Sequence, residues 1–284
     1  MNFSVETINS RVSARSYSKE PLGTAERAAL AKAMATCIPT PFGSVPRFTL
    51  LDAAAVPGAA GGRIGTYGVI KDAPAFLVGC VLPSPDAFID YGYAMEGIVL
   101  AATAAGLGTC WLGGIFDRSG AAQALGLKKG EVVPAITPVG HTAERRSLAD
   151  LAIRTAAGSG RRKSWDSLFF DGSFSLPLER ASAGPWAEAL EALRGGPSAS
   201  NKQPWRVVRT GAASAPAFHL HLEENRAYTR AIPGILLQDL DAGIAMRHLE
   251  AAARDLGLPG SWKRLSAPPL PLKDPMRYIA TWSA

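Results

Sequence analysis

Two stretches far apart in the chain carry residue types that could hold a small polar or anionic ligand. Near the start, Arg11, Ser13 and Arg15 stand at alternate positions of "RVSARSY". Guanidinium forks grip phosphate or carboxylate oxygens bidentately, which an ammonium cannot do. If this segment turns as it enters a helix, all three side chains can converge on one anion, with backbone N–H groups assisting. Otherwise it is an exposed basic loop. Much later comes "GGPSASNKQPWRVV", residues 195–208, which brings Ser198, Ser200, Asn201 and Gln203 close together. It reads either as one wall of a ligand site or as a capped turn running into a strand at Trp205–Val208.

Other chemistries lack their residues. The four histidines form no HExxH pattern and no pair at metal-ligand spacing, so no metal site is expected. His219 and His221 alternate on an expected strand and belong to its surface or its packing. "GLGTCW" lacks the nucleophile elbow of a serine hydrolase. "GGRIGTYG" precedes a strand instead of joining a strand to a helix, so it is no dinucleotide-binding loop. Cys37, Cys80 and Cys110 are odd in number and sit in apolar company, as buried thiols do in a reducing compartment.

The 284 residues allow one large domain or two small ones, and an apolar fraction of 47% suffices for a substantial core. A net charge of +6 invites a nucleic-acid reading. The cations are scattered, however, with no zinc-finger spacing, RNP-type strand or long basic helix beside them, so no nucleic-acid partner is expected. The N-terminus has no apolar signal core, and the longest apolar run, Ile98–Leu107, is far short of a membrane span. A soluble cytoplasmic chain is the expectation.

The chain also repeats itself. "DYGYAMEGIVLAATAAGLGTCW" from Asp90 aligns with "DAGIAMRHLEAAARDLGLPGSW" from Asp241 at a constant shift of 151 positions. Both read as helices that an Asp can cap and a Gly-Leu pair closes. "APAFLV" at 73–78 pairs with "APAFHL" at 215–220 as strands. "SYSKEPL" at 16–22 pairs with "SFSLPL" at 173–178, each before an Ala-rich helix. "IPTPFGSVPRF" at 38–48 lies against "GPSASNKQPWR" at 196–206. Later strands are expected in "EVVPAITPVGH" and "MRYIATW". The unit of helix, strand, long helix and strand makes an α+β chain. Two related halves imply a covalent form of a two-fold dimer packed through its long helices, joined near 164–172.

These residues resemble the nitroreductase family of flavoproteins, and most closely its subgroup of fused two-repeat pseudo-dimers. "RVSARSY", "DAPAFLVG", "AAGLGTCWLGG" and "GGPSASNKQPWR" resemble the family's motifs in order. The resemblance implies a nitroreductase-like fold in two tandem half-domains, residues 1–168 and 169–284. It also implies one FMN at their interface. Arg11, Ser13 and Arg15 would hold the phosphate, and Gly113 and Gly114 would let the backbone approach the ring. Pro197, Ser198, Ser200 and Asn201 would cover it, with Gln203 and Trp205 bracing the loop. Arg161 and Lys163 match the family's second basic pair, although which of Arg161, Arg162 and Lys163 points inward is open. Trp111, repeated as Trp262, reads as core. The first half's loop has lost its polar residues, with Phe42, Gly43 and Val45 in place of Ser200, Asn201 and Gln203. The second half has no arginines near "LFFDG" to match Arg11 and Arg15. One complete site is therefore expected.

The implied activity is reduction of an electron-poor acceptor, a nitroaromatic or a quinone, with hydride from NADH or NADPH. The alternative is a flavin-binding or vestigial pseudo-dimer without turnover. That alternative draws on "GTYGVIKDAP", where Thr66 and Val69 stand near the places of the family's flavin-touching Asn and Lys, with Lys71 displaced and Tyr67 a substitute contact. A monomer is expected, because a fused chain already contains its dimer interface.

Overall fold

The computed structural model describes residues 2–55, 66, 68–143, 161–212, 214–225, 232–266, 270–272 and 274–284. Tyr67 lies outside the described residues. Helices α1 (Val5–Ser10) and α2 (Thr24–Thr36) lead into strands β1 (Arg47–Asp52) and β2 (Ala75–Cys80). The long helix α3 (Ala87–Ala104) follows, then β3 (Gly108–Thr109), α4 (Arg118–Leu125) and β4 (Ile136–Gly140). The remainder supplies β5 (Phe169–Asp171), α5 (Ala187–Gly195), β6 (Trp205–Ala212) and β7 (Ala215–Glu223). It continues through the long helix α6 (Leu237–Asp255), β8 (Ser261–Lys263) and β9 (Met276–Ser283).

Two sheets result. The first is antiparallel in the order β1-β2-β4-β3, and the second runs β5-β6-β7-β9-β8 with only the β5–β6 pair parallel. The second "APAF" segment opens β7, only Ala75 and Phe76 of the first fall in β2, and the two later segments supply β4 and β9.

Helices α3 and α6 cross at the heart of the molecule. Fifteen of the 18 residues of α3 are buried, as an apolar helix with polar residues confined to its contacts requires. The crossing is set by paired glycines. A Cβ on Gly243 would lie 2.0 Å from the Ile89 carbonyl oxygen, and one on Gly92 2.3 Å from that of Leu240. The backbones thus touch, and the absence of a side chain permits it.

The expected Asp caps are a correction. Helix α3 starts at Ala87 and α6 at Leu237, so Asp90 and Asp241 lie one turn inside. Their carboxylates reach outward to loops instead. The Gly-Leu closures hold: Gly106 and Gly257 have φ of 76° and 67°, and the Leu107 and Leu258 N–H groups donate to Ala102 and Ala253 at 2.9 and 2.8 Å.

One apolar cluster joins α5, α6 and the second sheet through Leu190, Trp205, Phe218 and Leu249. Phe3 and Ile8 belong to it as well, so α1 packs on elements from the far end of the chain. A second cluster fills the space between α2, α3 and the first sheet, and a third lies between that sheet and α4.

Candidate functional site

A cleft of about 360 Å³ opens where the N-terminal segment, the turn after β3, the 197–201 loop and the start of α6 meet. The sequence placed these parts far apart; packing of α3 against α6 brings them together.

Arg11 ends α1, and the chain then runs extended rather than entering a helix. Ser13 bridges to Thr109, the Ala14 N–H donates to the Thr109 carbonyl at 2.8 Å, and the Lys71 N–H donates to the Arg15 carbonyl at 2.8 Å. Residues 11, 13 and 15 of this extended segment all line the cleft, and Val12 does so with them. Arg11 is only 8% exposed, and its Nε and Nη1 are buried with no hydrogen-bond partner among the described residues. Buried donors on a fixed cation are what an anion's oxygens satisfy.

Of the three basic residues at 161–163, Arg162 lines the cleft and its neighbours do not. Arg162 Nη1 donates to Asn201 Oδ1 at 3.1 Å and Nη2 to the Gly195 carbonyl at 3.0 Å. Burial, with Arg11 and Arg194 nearby, pulls its pKa down. Arg161 is exposed, and its carbonyl accepts from Asn201 Nδ2 at 2.8 Å. Lys163 turns its Nζ to Glu223 at 3.6 Å, while its backbone N–H donates to Gln203 Oε1 at 2.8 Å. The sequence could not choose among three adjacent cations, because only the local turn decides which side chain faces inward.

The loop Pro197–Asn201 forms the facing wall. Ser200, Asn201 and Gln203 adopt left-handed φ of 45°, 54° and 47°, which L side chains rarely accept. Internal bonds hold them there. Ser198 Oγ accepts from the Gln203 N–H at 2.8 Å, and Gln203 Nε2 donates to the Asn201 carbonyl at 3.1 Å. Ser198 and Asn201 thus brace the loop as Gln203 does, while lining the cleft.

Gly113 and Gly114 complete the wall with Trp111, Leu112 and Cys110. A Cβ on Gly113 would come 2.8 Å from Leu237 Cδ2. Arg118, missed in the sequence, fixes this turn by donating to the carbonyls of Gly113, Val133 and Pro134. Trp111 is wall as well as core. Its Nε1 donates to Glu96 Oε2 at 2.6 Å, and Glu96 Oε1 meets His248 Nε2 at 2.8 Å across the helix pair. Trp262 instead donates to the Met246 carbonyl at 3.2 Å. Val69 lines the cleft, whereas Thr66 does not and Lys71 is exposed.

The repeat has a counterpart of this wall, and it is filled. At the shift of 151, Gly113 corresponds to Arg264 and Leu237 to Asp86. Arg264 pairs with Asp86 at 2.6 Å, and its guanidinium lies 4.1 Å from the centre of the Phe42 ring.

All three cysteines are buried, and burial pushes the thiols of Cys37 and Cys80 up to about 11 and 12. His219 bridges Thr210 and Thr281 at 2.7 and 2.8 Å within the second sheet. Among the described residues there is no group of three or more potential metal ligands, and no helix is long and apolar enough to cross a membrane.

The family model described as "Putative TM nitroreductase" matches residues 4–253. No curated protein matches the chain. Among solved structures, a Thermotoga maritima protein described in the same terms, as a putative nitroreductase, aligns over 100% of this chain and 94% of its own, at 17% identity and a TM-score of 0.60. Nitroreductases with bound FMN from Bacteroides fragilis and Desulfitobacterium hafniense align at 24% and 22% identity, each covering 51% of this chain. They are covered over 90% and 92% of their own lengths, at TM-scores of 0.41 and 0.40.

Proposed function

The chain belongs to this nitroreductase family, and we propose that it is an FMN-dependent oxidoreductase which reduces an electron-poor acceptor with NADH or NADPH. One observation carries the reading: Arg11, buried and with donors that have no partner among the described residues, shares a cleft with Arg15, Arg162 and the polar 197–201 loop. Three cations around one cavity repel one another unless an anion lies between them. The phosphate of FMN is such an anion, and its fork-shaped acceptors suit guanidinium groups.

In this reading Arg11, Ser13, Arg15 and Arg162 hold the phosphate. Gly113 and Gly114 present backbone to the ring, and Pro197, Ser198, Ser200 and Asn201 screen it from water. Bound FMN supplies the hydride chemistry that no side chain here can perform. The protein's own part is grip, orientation and a cleft wall of Val69, Trp111 and Ile115 suited to a flat apolar acceptor. The two repeats act as a pseudo-dimer with a single site, so the chain is proposed to work as a monomer.

A visible spectrum tests this first. Purified protein that is colourless and takes up no added FMN would remove the proposal. If FMN is held, anaerobic mixing with NADH or NADPH should bleach it and an added quinone should restore the colour. A flavin that stays oxidised would point to the binding protein without turnover, a reading that the exposed Lys71 and the apolar Val69 favour.

A further inference from the structure

Asp241 is a carboxyl group that the function above leaves unused. It is 3% exposed and lies on the cleft wall. Its Oδ1 accepts from the Ala199 N–H at 2.9 Å, whereas Oδ2 is buried with no hydrogen-bond partner among the described residues. Its counterpart in the first repeat differs. Asp90 spends both oxygens on the corresponding loop, accepting from the N–H groups of Phe42 at 2.9 Å and Ser44 at 2.8 Å. The second loop gives it one N–H, because it turns left-handed at Ser200 and sends the Asn201 and Lys202 N–H groups back to the Ser198 and Ala199 carbonyls at 2.9 and 3.1 Å.

A buried carboxylate with one hydrogen bond is poorly compensated as an anion. Burial, aided by Asp239 on the same helix, pushes Asp241 up to about 8 despite the Ala199 contact. The charged groups that share the cleft wall with it are Arg11, Arg15 and Arg162. Those arginines favour the ionised form, and an anion bound among them offsets that pull. At neutral pH Oδ2 then carries a hydrogen for which the described chain supplies no acceptor.

We propose that Asp241 is a binding residue of the cleft, donating its Oδ2 hydrogen to an acceptor atom of the bound cofactor. The proposal rests on the FMN reading, since the flavin ring carries carbonyl and ring-nitrogen acceptors. It makes retention of the cofactor depend on one proton. Affinity is highest with Asp241 protonated and falls as pH rises through the upper part of the neutral range.

FMN affinity measured by flavin fluorescence between pH 7 and 9.5 tests this on the wild type, D241N and D241L. The wild type should weaken at least tenfold across that window. D241N keeps a donor and should show a flat profile, and D241L should bind about tenfold more weakly than wild type at pH 7. Parallel profiles for wild type and D241N would overturn the role of Asp241 while leaving the cofactor in place. No binding at any pH would overturn both. Infrared spectra of protein with isotope-labelled aspartate give a second readout without cofactor. A protonated-carboxyl band should be present at pH 7, be lost by pH 9.5 and be missing in D241N; its absence from the wild type at pH 7 overturns the proposal.

Discussion

Arg264 stands in the second repeat where Gly113 stands in the first, and each meets the other half at matching positions. Gly113 faces Leu237, and Arg264 pairs with Asp86 at 2.6 and 2.7 Å. The same contact thus borders the open cleft on one side, where Gly113 packs closely on Leu237, and is closed by an ion pair over Phe42 on the other.

The first prediction is stoichiometric. Titration with FMN should saturate near one equivalent per chain. Arg264→Gly should not add a second, because the second repeat has no cations matching Arg11 and Arg15. Saturation at two would show that the closed side still binds.

The arginines should separate by position. Charge-assisted hydrogen bonds contribute about 1.5–3 kcal/mol, so Arg11→Ala or Arg162→Ala should weaken FMN binding about 10- to 100-fold. Arg161→Ala, with its side chain outside the cleft, should cost less than about threefold on the same scale. Equal losses at 161 and 162 in a fluorescence titration would mean that the phosphate lies elsewhere.

Gly243→Ala tests the helix crossing. A methyl group aimed at the Ile89 carbonyl from 2.0 Å must push the helices apart, and such overpacking costs about 1–3 kcal/mol or more. At about 2–4 °C per kcal/mol for a chain of comparable size, Tm should fall by about 6–12 °C for a cost near 3 kcal/mol. A fall under about 2 °C would show that the crossing relaxes freely.

Much of this arrangement was legible in the sequence, for reasons that differ by residue. The repeat at Asp90 and Asp241 and the glycine closures were visible because backbone demands leave fixed residue types at fixed spacing. The alternate spacing of Arg11, Ser13 and Arg15 was visible, but its cause was misread as a helix entry. An extended segment gives the same convergence, and only the pairing with Thr109 and Lys71 distinguishes the two. The aspartates looked like caps because a polar residue before an apolar helix commonly is one. Their real partners are loop N–H groups more than 40 positions away, which local pattern cannot reveal. Arg118 gave no signal at all, since its three carbonyl acceptors are joined to it only by the fold.

The last prediction concerns acid. His221 is fully buried on β7, and burial lowers its pKa from 6.5 to about 4. The unfolded chain takes up a proton at this side chain below about 6.5, while the folded chain resists until about 4. The neutral ring therefore adds its full share of stability above the unfolded value. That share is lost as pH falls from 6.5 to 4, by on the order of 3 kcal/mol. Urea unfolding at pH 7 and pH 4.5 should show the decline in wild type. His221→Leu should reduce the difference, because it removes the titrating group and leaves only the contributions of the other ionisable residues. An unaltered pH dependence in that variant would assign the acid lability to other residues.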